Sequence, residues 1–405
     1  SAALSAVSLV DSINVLLIQA FSALAAGGAI VCAQYIGQKN YERANMSARQ
    51  VLFIITAISV AVSAICLIFQ KPLLRLIFGA VEADVMRASE TYFFYTALSF
   101  PFIAAYDSAA SIFRAQDNTK GPMLISMISN VMNIGGNAIL IWVFHMGVAG
   151  AAISTLVSRI FCAVVVLYQL RKDRQPIVVR DYLKIRPDWA MIRRILGLGI
   201  PSGIENSMFQ LGKLAIQSTV STLGTAAIAA QAMTNILENL NGIAAIGVGV
   251  GLMTIVGQCL GAGRKDEAVY YIKKLCVIAE VVIIVSCLTV YALARPVTIL
   301  GSMEKTSAAM CIHMVTWITI VKPLVWTMAF VPGYGLRAAG DVKFSMITSC
   351  CTMWACRFCL CVFLIRVMGF GPMGVWIGMF ADWTIRGIIF TWRFHSRRWL
   401  EHKVI

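Results

Sequence analysis

Charge is scarce in this chain: Asp, Glu, Lys and Arg make up 13% of its 405 residues, about half the ~25% usual in soluble domains. Missing as well are H-E-x-x-H, G-x-S-x-G and G-x-x-x-x-G-K-[ST], the sequence signs of a zinc protease, a serine hydrolase and an ATP-driven pump. An enzyme is therefore not expected. The longest polar stretch, 171–194, is too short to bury a core, so no soluble domain is expected either. The four histidines (His145, His313, His395, His402) lie at or near the ends of apolar runs. Cys356 and Cys359 form a C-x-x-C with no second ligand pair, which does not make a zinc site. The twelve cysteines read as small apolar packing residues.

What the chain has in excess is hydrocarbon: 59% of residues are hydrophobic and the mean hydropathy is +0.79. A helix needs ~20 apolar residues to cross ~30 Å of hydrocarbon. Eleven stretches qualify: 4–33, 50–70, 92–113, 122–145, 148–170, 195–222, 226–257, 275–294, 307–335, 344–365 and 372–394. The alternating ~10-residue segments of a membrane β-barrel are not seen. The expected class is an all-α, multi-pass integral membrane protein.

Lys and Arg set the orientation, because flanks rich in them stay cytoplasmic. The connections 38–50, 114–120, 171–194, 264–274 and 337–343 and the tail 393–403 hold 23 basic residues, whereas the intervening ones hold six. The two sets alternate without exception, which places the C-terminus in the cytoplasm and the protein in the cell membrane. The net charge of +15 is thus mostly a topology signal. Its spread over many loops argues against a nucleic-acid partner.

The chain also repeats itself. "FRAQDNTKGPM" (113–123) returns as "LRAAGDVKFSM" (336–346), 223 positions later. At an offset of 224, "SAALSA" falls on "TAAIAA", Gln34 and Gly37 on Gln258 and Gly261, and Gly147 and Gly150 on Gly371 and Gly374. Two halves written in the same direction imply six-helix bundles related by a pseudo-twofold axis along the membrane normal, with a site between lobes. Residues 196–224 have no mate in the first half, so a further helix is expected before Ser1, eleven of twelve being present. The expected division is 1–171 for the N-terminal lobe, 172–194 for a basic cytoplasmic linker and 195–405 for the C-terminal lobe.

Ionisable groups inside spans cost ~2.5–3.5 kcal/mol each on insertion scales, so they face a bundle interior or a wet cavity. Asp11 and Asn14 lie one turn apart, and their repeat mates Asn235 and Glu238 carry the acid in the opposite order. Polar lining of a common space and helix-to-helix hydrogen bonding are both open for them. Asp107 is a further acid, after Pro101. Asn130, Asn133 and Asn137, spaced i, i+3, i+7, share one helix face and suggest a lined cavity. Glu205 and Lys213 share the helix that opens with Pro201. Lys322 adjoins Pro323 in a span broken again by Pro332. Asp382 and Arg386 are an i,i+4 pair, and Asp341 is placed to pair with Arg337 or to cap the next helix. Within the spans the first half carries Asp11 and Asp107 against Arg159, and the second carries Glu205, Glu238, Glu280 and Asp382 against Lys213, Lys322, Arg357 and Arg386. A slightly acidic first lobe would favour cationic cargo.

Across essentially all 405 residues the chain resembles the multidrug and toxic compound extrusion (MATE) family, through "AQYIGQKNYERA", "FRAQDNTKGPM", "NVMNIGGN", "GIPSGIENSMF", "GQCLGAGRKDEA" and "GLRAAGDVKFSM". The resemblance implies a bacterial secondary antiporter that expels organic, often cationic, compounds as Na+ or H+ enters, with no other cofactor. It implies alternating access between two lobes, a cation site near Glu205 and Asp341, and a monomer whose partners are a small-molecule substrate and the bilayer. The family's Asn-x-x-Asn-x-x-x-Asp appears here with Asn137 in place of the acid, and an amide cannot release a proton. The alternative within the same superfamily is a flippase for a lipid-linked precursor, with Lys213 and Lys322 receiving phosphate.

Overall fold

The computed structural model describes residues 2–172 and 174–405. Among them every regular element is helical: α1 (Ala2–Gly37), α2 (Tyr41–Ile68), α3 (Gln70–Phe78), α4 (Ala83–Leu98), α5 (Phe100–Ala115), α6 (Lys120–Ala138), α7 (Val148–Leu170), α8 (Trp189–Val220), α9 (Thr225–Gly261), α10 (Lys265–Leu300), α11 (Lys305–Ala338), α12 (Val342–Cys351), α13 (Leu360–Arg366) and α14 (Met373–Ser396). Short π-helical segments, Ile139–Val143 and Thr352–Cys359, extend α6 and join α12 to α13. Among the described residues nine helices, counting those continuations, are long and apolar enough to span a bilayer.

Each of the eleven apolar runs falls on helix, but two are not simple spans. The run 92–113 is divided at Ser99 into α4 and α5, each of 16 residues, with Pro101 in the first turn of α5. Helix α8 is 32 residues long, yet Arg193, Arg194, Glu205 and Lys213 dilute its apolar content. The chain divides into two compact units, Ser1–Ser207 and Met208–Val404.

The duplication is visible in the helix boundaries. Helices α1 and α9 end at Gly37 and Gly261, and α2 and α10 begin at Tyr41 and Lys265, in both cases 224 positions apart. Gly147 before α7 and Gly371 before α14 are also 224 apart, with φ of 62° and 67°. The turns after α1 and α9 lead directly into the next helices. Asn40 accepts the backbone N–H of Arg43 at 3.2 Å, and Glu42, Asp266 and Glu267 sit in the first turns that follow, where a carboxylate complements the helix dipole.

In the first unit α1 packs against α2, α4 and α5, and α7 against α4, α5 and α6. In the second, α9, α10 and α11 pack together and α14 lies on α11. The core of the second unit includes Trp326, Trp383, Phe390, Phe394 and Trp399. Large apolar side chains such as Val131, Ile134, Leu293 and Ile388 stay exposed, as suits a surface whose solvent is lipid.

Residues 176–188, ahead of α8, are held by side chains of α2 and of the turn after α5. Asn45 of α2 donates to the Pro176 carbonyl at 3.2 Å and accepts from the Val178 N–H at 2.8 Å. Gln50 donates to the Arg186 carbonyl at 2.8 Å and accepts from the Asp188 N–H at 3.1 Å, and Gln116 accepts from the Ile177 N–H at 2.9 Å. Tyr182 donates to the Leu167 carbonyl, and burial pushes its phenol up to about 12 against the opposing pull of the Arg171 charge.

Helix α8 crosses α1 at backbone contact: a Cβ added to Gly27 would lie 2.6 Å from the Gly199 nitrogen. Gly27→Val should therefore fail to give a monodisperse, detergent-extracted protein. Gly197→Ala, where a Cβ meets nothing within 4 Å, should be neutral or stabilising by up to about 1 kcal/mol. Size-exclusion profiles of the two variants check this; a normal Gly27→Val profile would refute the close crossing.

Candidate functional site

Lys322 is the eighteenth residue of the 34-residue α11, which at 1.5 Å per residue puts it ~25 Å from either end. It is 1% exposed. Its ammonium donates to Glu238 Oε1 at 2.8 Å, to the Glu238 carbonyl at 3.2 Å and to Asn241 Oδ1, all on α9. Trp326 and Trp383 place their rings 5.3 and 5.9 Å from the same nitrogen, favourable for a cation. A Cβ on Gly242 would come within 3.1 Å of the nitrogen, so glycine there makes room for it. Three donors thus meet three acceptors, the condition for holding an ammonium in hydrocarbon.

A second charged group begins one residue from Trp383. Asp382, fully buried on α14, takes Arg386 Nη2 at 3.2 Å and Arg357 Nη2 at 2.8 Å. Arg357 projects from the π-helical segment before α13. Arg386 also donates to Thr352 Oγ1 at 3.2 Å. The expected i,i+4 pair therefore exists, but Arg357 makes the shorter contact. Both guanidiniums and the Lys213 ammonium lie over the ring of Phe209, at 4.8, 5.8 and 4.9 Å from its centre for Arg357, Arg386 and Lys213. Of these three cations around one ring, Arg357 and Arg386 share Asp382 as their contacting carboxylate, with Glu238, itself paired to Lys322, acting on Lys213 and Arg357 without a direct contact.

Asp341 is 2% exposed in the turn between α11 and α12. It makes neither of the contacts its spacing suggests. No hydrogen bond caps α12, and Arg337 instead donates Nε to the Gly333 carbonyl at 3.2 Å and stacks on Tyr334. Both Asp341 oxygens are taken by Arg393, through Nε at 2.8 Å and Nη2 at 3.1 Å, and His402 Nε2 lies 3.1 Å away. Such a fork-on-fork contact is among the stronger ion pairs. Arg393 and His402 were out of reach of sequence spacing, because 52 residues separate Arg393 from its partner.

In the first unit Tyr92 of α4 donates to Asp11 Oδ1 at 2.9 Å, and Ser22 of α1 donates to Asp107 Oδ2 at 3.0 Å. Arg159 of α7 donates to Ser99 Oγ at 2.6 Å and interacts electrostatically with Tyr92, Asp11 and Asp107. The duplication relates this cluster to the one in the second unit: at an offset of 223 Lys322 falls on Ser99, and at 224 Trp383 falls on Arg159. Each unit thus brings one cation to the contact between the same two helix equivalents, carried by α7 in one case and by α11 in the other.

The remaining candidates vary. Asn14, 3% exposed, has no hydrogen-bond partner for its amide among the described residues. Asn235 accepts from Gln231, which accepts from Trp376 Nε1 at 3.1 Å. The three amides of α6 have different surroundings: Asn130 is exposed, Asn133 Oδ1 accepts from Ser154 of α7 at 3.1 Å, and Asn137 is half-buried. Glu205 is half-buried on α8, within the first unit. No group of three or more His, Cys, Asp or Glu side chains is disposed to hold a metal among the described residues.

Asp382→Asn should leave Arg357 and Arg386 uncompensated and cost about 3–5 kcal/mol, the usual penalty for orphaning a buried charge. Asn235→Ala, which removes one long hydrogen bond, should cost under about 1 kcal/mol. Thermal unfolding in detergent measures both; a Tm for Asp382→Asn equal to that of the wild type would exclude the pairing.

A model of the MatE family matches residues 1–139 and 201–363. The chain is 24% identical over 99% of its length to the probable multidrug resistance protein YoeA of Bacillus subtilis, covering 87% of that protein. To the probable multidrug resistance protein NorM of Thermotoga maritima it is 23% identical over 94% of its length, covering 82%. Its fold matches the outward-facing conformation of a multidrug resistance MATE family transporter of the MOP superfamily, with a TM-score of 0.88 at 18% identity over 97% of this chain and 87% of that one. A MOP superfamily transporter from Pyrococcus furiosus, described as having a binding pocket of reverse polarity that suggests a different function, matches with a TM-score of 0.87 at 18% identity over 99% and 89%.

Proposed function

The chain belongs to the MatE family of membrane transporters, and on that premise we propose that it is an antiporter in the cell membrane, exporting organic compounds against Na+ or H+ by alternating access. The basic tail 393–403 supports a cytoplasmic C-terminus. The observation that carries the reading is the buried or half-buried carboxylate and cation found in each unit at related positions: Asp107 and Asp11 with Arg159, and Glu238 with Lys322. A carboxylate that exchanges a cationic partner for a driving ion changes the relative stability of two conformations, which is what coupling requires. Asp107 and Glu238 are the residues we assign to that role. A Na+ at Asp341 would first have to displace Arg393, so that carboxylate serves better as an anchor for the tail. Relatives named as multidrug resistance proteins support organic cargo.

A second reading, a flippase for a lipid-linked precursor, is favoured by the three cations around Phe209, which suit an anionic cargo better than a cationic one.

Asp107→Asn and Glu238→Gln should each lower gradient-driven efflux of a cationic dye from inverted vesicles by about tenfold, within the 5–150-fold range of a coupling free energy, at unchanged membrane expression. Imposing Na+ and pH gradients separately identifies the driving ion. Wild-type efflux in both variants would remove the assignment.

A further inference from the structure

We propose that Lys213, Arg357 and Arg386, gathered about Phe209, bind the anionic group of an organic compound, a carboxylate or a phosphate carried on a hydrophobic body. Arg357 is 1% exposed and its Nη2 is engaged by Asp382, yet its Nε and Nη1 have no hydrogen-bond partner among the described residues, and Arg386 Nε has none either. The 2.8 Å contact of Arg357 with Asp382 occupies one of its three nitrogens and leaves the other two. Asp382 is shared between the two guanidiniums, and Glu238 is committed to Lys322. An arginine cannot discard its proton to escape such a place, so its donors require an acceptor from elsewhere. A carboxylate or phosphate offers the several oxygens that a guanidinium fork engages. Lys213 is exposed and Phe209 half-buried, so the cluster is open at the lysine and presents an aromatic face to the ligand's apolar part. Nothing else in the second unit supplies a carboxylate to Lys213, which feels chiefly Arg357 and Glu238.

The inference rests on the transporter reading only in treating the ligand as cargo. Binding is therefore measured at equilibrium, without a gradient, on the purified full chain in detergent at low ionic strength. Titration calorimetry with 2-naphthoate and with a polyprenyl phosphate in mixed micelles separates a soluble anion from a lipid phosphate. Chloride, inorganic phosphate and tetraphenylphosphonium serve as comparisons. At least one organic anion should bind, and Lys213→Gln, an exposed change that leaves packing intact, should weaken it about tenfold, the equivalent of one charge-assisted contact. Arg357→Gln should abolish it. No binding of either organic anion, equal binding of chloride or inorganic phosphate, or affinity unchanged in Lys213→Gln would overturn the proposal. Binding without gradient-driven export of the same compound would leave the site standing and count against the transport reading instead.

Discussion

An ammonium at the centre of a 34-residue apolar helix has no water to fall back on, and that constraint organises the second unit. Lys322 can be there only because Glu238, Asn241 and a backbone carbonyl converge on it from α9, while Gly242 leaves the space it needs. The same demand recurs at Asp382, where one carboxylate holds α14 to the helix carrying Arg357. In hydrocarbon, apolar side chains gain little by touching each other rather than lipid, so polar contacts of this kind weigh heavily in deciding which helices are neighbours. Replacing buried pairs by apolar residues of similar volume is often neutral or stabilising. Keeping charges at such depth therefore speaks for a use beyond holding helices together.

The duplication shows how little of that use is tied to a particular residue. The two units share turns, glycines and helix ends, yet the cation comes from α7 in one and from α11 in the other. What has been kept is a charge at a place. What has diverged is its surroundings: a tyrosine and serines in the first unit, two indoles and an asparagine in the second. The first cluster sets two acids against one base, whereas Phe209 is ringed by three bases, of which Arg357 and Arg386 contact a single acid, Asp382. The two units therefore carry clusters of opposite local sign.

Most of the fold was legible in the sequence, because a span needs only length and apolarity and a repeat needs only alignment. The break at Ser99 was not, since Pro101 is compatible with a bent helix as well as with two short ones. Of the site, the intrahelical pair Asp382–Arg386 was readable from spacing, as i,i+4 neighbours meet on any helix. Arg357 and Arg393 were not, because their partners lie across 25 and 52 residues and depend on which helices pack together. Asp341 shows the cost of arguing from spacing alone: Arg337 is the right distance away in sequence, and its guanidinium turns back to its own helix. The asparagine stripe of α6 makes the complementary point, since three amides on one face still meet three environments once α7 covers only part of it.

Trp326 and Trp383 stand on opposite helices with their rings toward one buried ammonium. Indole emission shifts with the electric field across the ring, and at this range that field depends on how fully Glu238 neutralises Lys322. Any event that pulls Glu238 away from Lys322 leaves the charge less neutralised beside both rings. The molecule therefore carries its own optical voltmeter, wired to the pair at its centre and readable in unlabelled protein.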